Sequence, residues 1–337
     1  MRLASALALM LAMSAPAVAQ SPVPTQDVRI AVAYDLSGRG DGGFNDIAWN
    51  GAKRAADELG AELLEVTAKL DDTDAEREER LLLLAESGYD PIIGVGFTYS
   101  EPMARVAAAF PGTHFAIVDD AVISGPNIAT ITFKEHEGSF LVGIAAGLRS
   151  TTGHVGFIGA VPIPLIGRFE AGFAAGARAV DPDIVVDTAY LSQPPDYSGF
   201  GDPARGREAA LGMFDAGADV VFAAAGGSVQ GVIEAAAQSG TWAIGVDADM
   251  YLQVDDALKP HVLTSMIKNA DMGTYAFVTS VADGTFQPGH RDYGLAEGGV
   301  GYATSGGFLD GVTNQIDGWA TRIATGEVVV PEVPAAP

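Results

Sequence analysis

The chain has 337 residues, a formal net charge of −24, 48% hydrophobic residues and no cysteine. That length and apolar content suit two lobes of ordinary domain size rather than one core. The absence of cysteine excludes disulfides, thiolate metal sites, cysteine nucleophiles and a lipid-modified cysteine, and the acidic balance opposes nucleic acid and anionic headgroups as partners.

The chain opens on an export pattern. Arg2 is a positive start, Leu3–Met13 is an apolar run too short to span a bilayer, and Ala17-Val18-Ala19 is a small-x-small cleavage pattern. Residues 1–19 therefore read as a signal peptide, and the expectation is a periplasmic protein without a lipid anchor. No later stretch is a continuous apolar span; Asp219–Gly240 is broken by glycines, Ser228, Gln230 and Glu234.

Asp27–Tyr34 is a β-rich run, followed by a loop through Gly43 and by Phe44–Leu59 with helical apolar spacing. The periodicity then predicts strands at Ala61–Val66, Pro91–Val95 and His114–Val118, and helices at Thr73–Ser87 and Glu101–Phe110. A second series begins with the strand Ile128–Phe133 and the helix Glu135–Arg149, rich in small residues. Strands follow at Val155–Ile158, Ile184–Leu191, Val220–Ala224 and Trp242–Val246, alternating with helices at Gly167–Ala179, Pro203–Ala216 and Val229–Ser239. Val262–Ile267 is expected to carry the chain back toward the first lobe, with the helix Asp271–Ala282 after it.

Alternation of this kind signals parallel βαβ units. The expected fold class is α/β, two doubly wound parallel-sheet lobes joined by a multi-strand hinge. The first lobe is expected to comprise 27–132 plus about 266–285, the second 133–265 plus about 286–303, with a C-terminal helix and tail over 304–330. Ligands of such sheets bind outside the carboxyl ends of the strands.

The first loop matches G-x-G-x-x-G at Gly38, Gly40 and Gly43, with Glu65 near the distance of a ribose-binding acid. Against a dinucleotide, the loop carries Asp35, Asp41 and Asp46, which would face a pyrophosphate with like charge. The alternatives are a loop that caps a helix, through Asn45 or Asp41, and a glycine-rich loop that presents Phe44 and Asn45 to a ligand.

Gly43-Phe-Asn-Asp-Ile-Ala-Trp-Asn-Gly51 resembles the signature of the basic membrane protein family, the PnrA-like purine-nucleoside receptors of ABC importers. Phe115–Asp119, Glu137–Ala146, Gly201–Glu208, Gly217–Phe222, Gly245–Asp249 and Thr264–Lys268 resemble further family segments in the same order. The resemblance implies a type I periplasmic binding protein with a nucleoside held between two aromatic rings. Phe44 matches the first-lobe ring, and the second falls in Tyr197-Ser-Gly-Phe200, with Phe200 the better placed. Asp119 and Asn45 would read the base edge, and the resemblance places Asp247 and Lys268 at the sugar. A carboxylate can accept from two neighbouring hydroxyls while a lysine donates to one. Asp247 and Lys268 could equally form an ordinary ion pair. Gly226 and Gly227 would let backbone N–H groups approach the ligand closely. Where the family often continues Asp-x-Asp-Gln, this chain has Asp247-Ala-Asp249-Met250, which leaves the ligand open.

No P-loop, H-E-x-x-H or G-x-S-x-G pattern is present, and His114, His136, His154, His261 and His290 are scattered without ligand spacing. Asp71-Asp72 and Asp255-Asp256 read as solvated faces. The sequence thus leads to a substrate-binding protein of an ABC importer, not an enzyme, with no cofactor and no metal. Its expected partners are a small molecule, a purine nucleoside above all, and inner-membrane permease subunits; the chain is expected to be a monomer and to bind no nucleic acid. The rival readings are a ligand-sensing receptor of the same fold, a sugar or other aromatic metabolite as ligand, and an exported nucleoside hydrolase or dinucleotide-dependent oxidoreductase.

Overall fold

The computed structural model describes residues 28–34, 36, 38–69 and 72–335. The signal-peptide expectation for residues 1–19 and Asp35 and Asp71 lie outside them.

The first series contains β1 (Arg29–Tyr34), α1 (Phe44–Leu59), β2 (Glu62–Thr67), α2 (Asp74–Glu86), β3 (Ile92–Val95), α3 (Ser100–Ala109), β4 (Phe115–Val118) and β5 (Ile128–Phe133). Local chemistry fixes several ends. At α2, Thr73 Oγ1 accepts from the Glu76 N–H while Glu76 accepts from the Thr73 N–H at 2.7 Å, a reciprocal cap. Gly60, at φ 65°, ends α1 in the left-handed conformation that lacks a penalty only for glycine.

The second series contains α4 (Glu135–Arg149), β6 (His154–Gly159), α5 (Pro164–Val180), β7 (Val185–Tyr190), α6 (Pro203–Asp215), β8 (Val220–Ala224), α7 (Val229–Ser239), β9 (Trp242–Asp247) and β10 (Val262–Lys268). Pro164 and Pro203 open α5 and α6, where the missing N–H costs nothing. The chain ends with α8 (Ala270–Ala282), β11 (Gly289–Tyr293), β12 (Val300–Tyr302) and α9 (Thr313–Ala324).

These strands form two six-stranded sheets, in the orders β11-β5-β4-β3-β1-β2 and β12-β10-β9-β8-β6-β7. The first is parallel throughout; in the second only β12 runs antiparallel, against β10. The inner strands β3, β4 and β8 are buried along their whole length, as sheets covered by helices on both faces require.

The chain passes between the sheets three times: after β5, after β10, and between β11 and β12. The crossings are tied together by backbone hydrogen bonds from Lys134 N to Tyr293 O (3.0 Å) and from Asn269 N to Gly299 O (2.9 Å). Two expectations are corrected here. Val262–Lys268 stays in the second sheet, and the return to the first lobe comes after Lys268, where α8 packs on α1. Gly289–Tyr293, expected in the second lobe, pairs in parallel with β5 at the edge of the first sheet. Its sequence, Gly-His-Arg-Asp-Tyr, has no apolar alternation because an exposed edge strand buries little.

The small residues of α4 have a packing role. A Cβ on Gly143 would come within 2.3 Å of Phe173 O, and one on Gly172 within 2.1 Å of His136 O. Without side chains there, α4 and α5 meet backbone to backbone beside the crossing. That close contact fixes the first residues of both helices, which border the cleft described next.

Candidate functional site

The carboxyl ends of both sheets point into one space between the lobes. Its walls include Phe44, Asn45, Asp119, Phe200, Gly226, Asp247 and Lys268, together with Asp41, Phe97, Phe169 and apolar residues such as Leu165 and Ile166. The space amounts to about 640 Å³, counting the part open to solvent. Of the residues expected to contact the ligand, Phe44, Asn45, Asp119, Phe200, Gly226, Gly227, Asp247 and Lys268, Gly227 alone does not line it; a Cβ there would sit 3.6 Å from Phe200 O. Gly226 does, with φ 53° and Phe200 O 2.9 Å from where its Cβ would be, so glycine is required.

The loop before α1 settles its own chemistry. Asp41 accepts from the N–H groups of Gly43 and Asn45, both at 3.0 Å, and of Asp46 at 3.3 Å. Asp46 accepts from the N–H groups of Gly40 (3.1 Å) and Gly42 (3.0 Å) and from Arg39 Nε (2.8 Å). Although burial works against it, those donors hold the Asp46 carboxyl below the usual carboxylate range. Two internal carboxylates thus occupy the donors that a pyrophosphate would need. The dinucleotide pattern is a helix-capping loop, and what it presents to the cleft is Phe44 and Asn45.

Asn45 is 3% exposed. Its Nδ2 donates to Asp41 at 3.1 Å, while its Oδ1 is buried without a protein partner. Asn45 therefore has its acceptor free, while one of its two N–H donors is held by Asp41.

Asp119 follows β4 and Asp247 ends β9. Both adopt left-handed backbone, with φ 68° and 65°, the two non-glycine residues to do so among those described. This costs each on the order of 1–3 kcal/mol and turns the chain sharply at the strand end. Asp120, next to Asp119, accepts from the Val122 N–H at 2.6 Å and starts a polar loop.

Lys268 ends β10 and is 2% exposed. Its Nζ lies 2.6 Å from Asp119 Oδ2 and 3.0 Å from Glu135 Oε1. The ammonium also lies 4.9 Å from the Phe44 ring centre, 5.3 Å from Phe133 and 5.8 Å from Phe169, within cation–π range. The alternative of an Asp247–Lys268 ion pair is not what forms: Lys268 pairs with Asp119 across the lobes and with Glu135 at the first crossing. Burial would lower the Lys268 pKa, but Asp119, Glu135 and Asp247 hold it above its usual value. Burial pushes Asp247 up to about 7; Lys268 pulls it down, and Asp119, Asp41 and Glu135 push it further up.

Sequence reasoning passed over Phe97, Phe169 and Glu135. Phe97 follows β3 and meets Tyr197 edge-on at 5.5 Å and Phe200 at 6.5 Å, so the lobes touch through aromatic rings. Its signal was an aromatic just past a buried strand end, the position that also marks Asp119. Phe169 lies in a helix read for its periodicity alone. Met250 packs beneath β9 in the second-lobe core and does not line the cleft. That departure from the family pattern changes packing rather than cleft chemistry. Asp249 accepts from Ser305 Oγ at 2.5 Å, and Asp72, expected on a solvated face, pairs with Arg80 at 2.6 Å with its side chain 5% exposed.

A family model described as "ABC transporter substrate-binding protein PnrA-like" matches residues 28–333. A "CD4+ T-cell-stimulating antigen" of Listeria monocytogenes is 32% identical, over 92% of this chain and 90% of its own. An "ABC transporter nucleoside-binding protein BmpA" of Lactococcus lactis subsp. cremoris is 31% identical, over 90% of this chain and 89% of its own. Among solved structures, an ABC transporter solute-binding protein of Aeropyrum pernix superposes with a TM-score of 0.77 at 27% identity, covering 90% of this chain and 94% of that one. One expectation is overturned by a further relative. A Pyrococcus abyssi protein, 31% identical over 87% of this chain and 72% of its own, is named a lipoprotein, and so is one from Pyrococcus horikoshii. With two relatives named lipoproteins, the expectation of a free, non-lipidated periplasmic form is withdrawn.

Proposed function

The chain belongs to the PnrA-like family of ABC transporter substrate-binding proteins, and on that premise we propose that its cleft binds a purine nucleoside. Proteins of this family bind a small molecule for an ABC transporter and are not enzymes. The finer reading rests above all on one observation: aromatic walls at Phe44 and Phe200 share a single cleft with the buried Asp119, Asp247 and Lys268. It is supported by the name of the Lactococcus relative, a nucleoside-binding protein.

In this reading Phe44 and Phe200 stack on the two faces of the base, each worth about 1–3 kcal/mol. Asp119 Oδ1 and Asn45 Oδ1 are both buried without partners, and both accept, so they favour a base edge that donates N–H. A 6-oxopurine, whose N1 carries a proton, meets them better than adenine, whose N1 is an acceptor. Asp247 accepts from ribose hydroxyls and Lys268 donates to one. A 5′-phosphate brought among Asp41, Asp119, Asp247 and Glu135 would meet like charge, so nucleotides are disfavoured. The ligand touches both lobes and so stabilises their closure, and the closed form is the one the permease accepts.

Mass spectrometry of small molecules released by denaturing the freshly purified protein tests the ligand class. A nucleoside in the extract supports the reading; a free sugar or a non-purine aromatic released in stoichiometric amount overturns it.

A further inference from the structure

Lys268 has three N–H donors; it donates to Asp119 Oδ2 at 2.6 Å, and Glu135 Oε1 lies 3.0 Å away as an ion-pair partner outside hydrogen-bond geometry. Glu135 is the first residue of α4, directly after the crossing from β5, and is fully buried. A carboxylate so placed is costly unless it is paired. Its second oxygen lies 3.5 Å from Arg168 Nη1 in the first turns of α5. Arg168 in turn donates to Phe133 O at 3.2 Å and lies 3.4 Å from Glu332 in the C-terminal segment. An unbroken line of opposite charges therefore runs from the C-terminal segment through Arg168 and Glu135 to Lys268 at the cleft. Its middle member lines no part of the cleft.

We propose that Glu135 is a positioning residue for sugar recognition: held by Arg168, its charge keeps the Lys268 ammonium beside Asp119 with an N–H left for a ligand hydroxyl. This rests on the nucleoside reading for the identity of the hydroxyl, but not for the pinning itself. Two carboxylates, at 2.6 and 3.0 Å, hold the ammonium between them by charge, and Asp119 also by a hydrogen bond. Glu135 also adds negative charge near Asp247, which faces Lys268 on β10, Asp119 at the end of β4, Asp41 before α1, and Glu135 on α4. Glu135 itself faces Lys268, Asp119 and Arg168, and through Arg168 the carboxylate of Glu332. Burial raises the Glu135 pKa and Lys268 opposes that rise. Arg168 lies nearby as a second cation.

The test uses Glu135→Gln, which keeps an acceptor and loses the charge, and Arg168→Gln, at a partly exposed position where folding is tolerant. In the ligand-free protein, the ¹³C carboxyl titration of Asp247 is followed by NMR. Its midpoint is expected to fall in Glu135→Gln, since a neighbouring negative charge has gone, and to rise in Arg168→Gln, since a positive one has gone. With ligands, affinity is measured for a nucleoside and for its free base. Glu135→Gln should weaken the nucleoside by roughly tenfold, the scale of one charge-assisted hydrogen bond, and leave the free base within about twofold. Equal loss for both ligands, or an Asp247 midpoint unmoved in both variants, overturns the proposal. If the unmodified protein binds no nucleoside, the function reading fails while the titration still decides the pinning.

Discussion

Asp119 and Asp247 hold matching places in the two lobes: each stands at the carboxyl end of the third strand of its sheet in the orders β11-β5-β4 and β12-β10-β9, and each is in left-handed backbone. One reaches the Lys268 ammonium at 2.6 Å; the other has no such partner and titrates at about 7. The same turn in the chain thus gives one carboxylate committed to a cation and one left to the cleft.

That asymmetry predicts a stability signature. The folded pKa of Asp247, about 7, lies above the ordinary aspartate value, so the native state holds its proton more tightly than the unfolded chain. Stability is then highest below about pH 4 as far as this group is concerned, and falls as pH rises toward 7. Asp247→Asn removes the dependence. In the absence of ligand it should exceed the unmodified protein at pH 8 by on the order of 1–3 kcal/mol and match it at pH 4, read from denaturant melts.

Ligand binding should carry the opposite sign. An ionised carboxylate accepts hydrogen bonds from two hydroxyls at once and more strongly than the protonated acid, which keeps one O–H as a donor, so nucleoside affinity should rise from pH 5.5 and level off above about 7. Binding at pH 6.5 should release protons, seen as an enthalpy that varies with the ionisation heat of the buffer. Asp247→Asn should bind more weakly with a flat pH profile; a profile that stays steep shows that another group titrates.

Lys268 balances Asp119 and Glu135 in a buried site. Lys268→Met leaves both acids without it and should cost about 3–5 kcal/mol of stability, together with nucleoside binding. The loss should be partly recovered at pH 5, where the stranded acids can protonate. Thermal melts at pH 5 and 8 measure it.

Phe44 and Phe200 are half-buried cleft walls. Replacing either by alanine should reduce nucleoside affinity by about 1–3 kcal/mol and reduce free-base affinity equally, because stacking acts on the base alone. Free-base binding thus separates these variants from those at the sugar end.

Much of this was legible in the sequence, for physical reasons. Alternating strand and helix periods follow from burial, so the strands ending at Tyr34, Val118 and Asp247 could be placed, and with them the residues at their carboxyl ends. Gly289–Tyr293 could not, because an edge strand of Gly-His-Arg-Asp-Tyr carries no burial pattern. The ion-pair partners of Lys268, Asp119 and Glu135, were not legible, because pairing across the lobes depends on the three crossings, which no local pattern encodes. Glu135 was hidden for a related reason: an acid at the first turn of a helix looks like an ordinary solvated, dipole-favoured position, and only the close packing of α4 on α5 buries it. The glycine loop was ambiguous by pattern, and the hydrogen bonds of Asp41 and Asp46 decide it.

The central claim is tested most directly by isothermal titration of the unfolded, ligand-stripped and refolded protein with inosine, guanosine and adenosine, with ribose and free hypoxanthine alongside. The predicted result is one-site binding of inosine and guanosine, weaker binding of adenosine, and much weaker binding of ribose or hypoxanthine alone. No heat with any nucleoside, from protein whose circular dichroism shows it refolded, contradicts it.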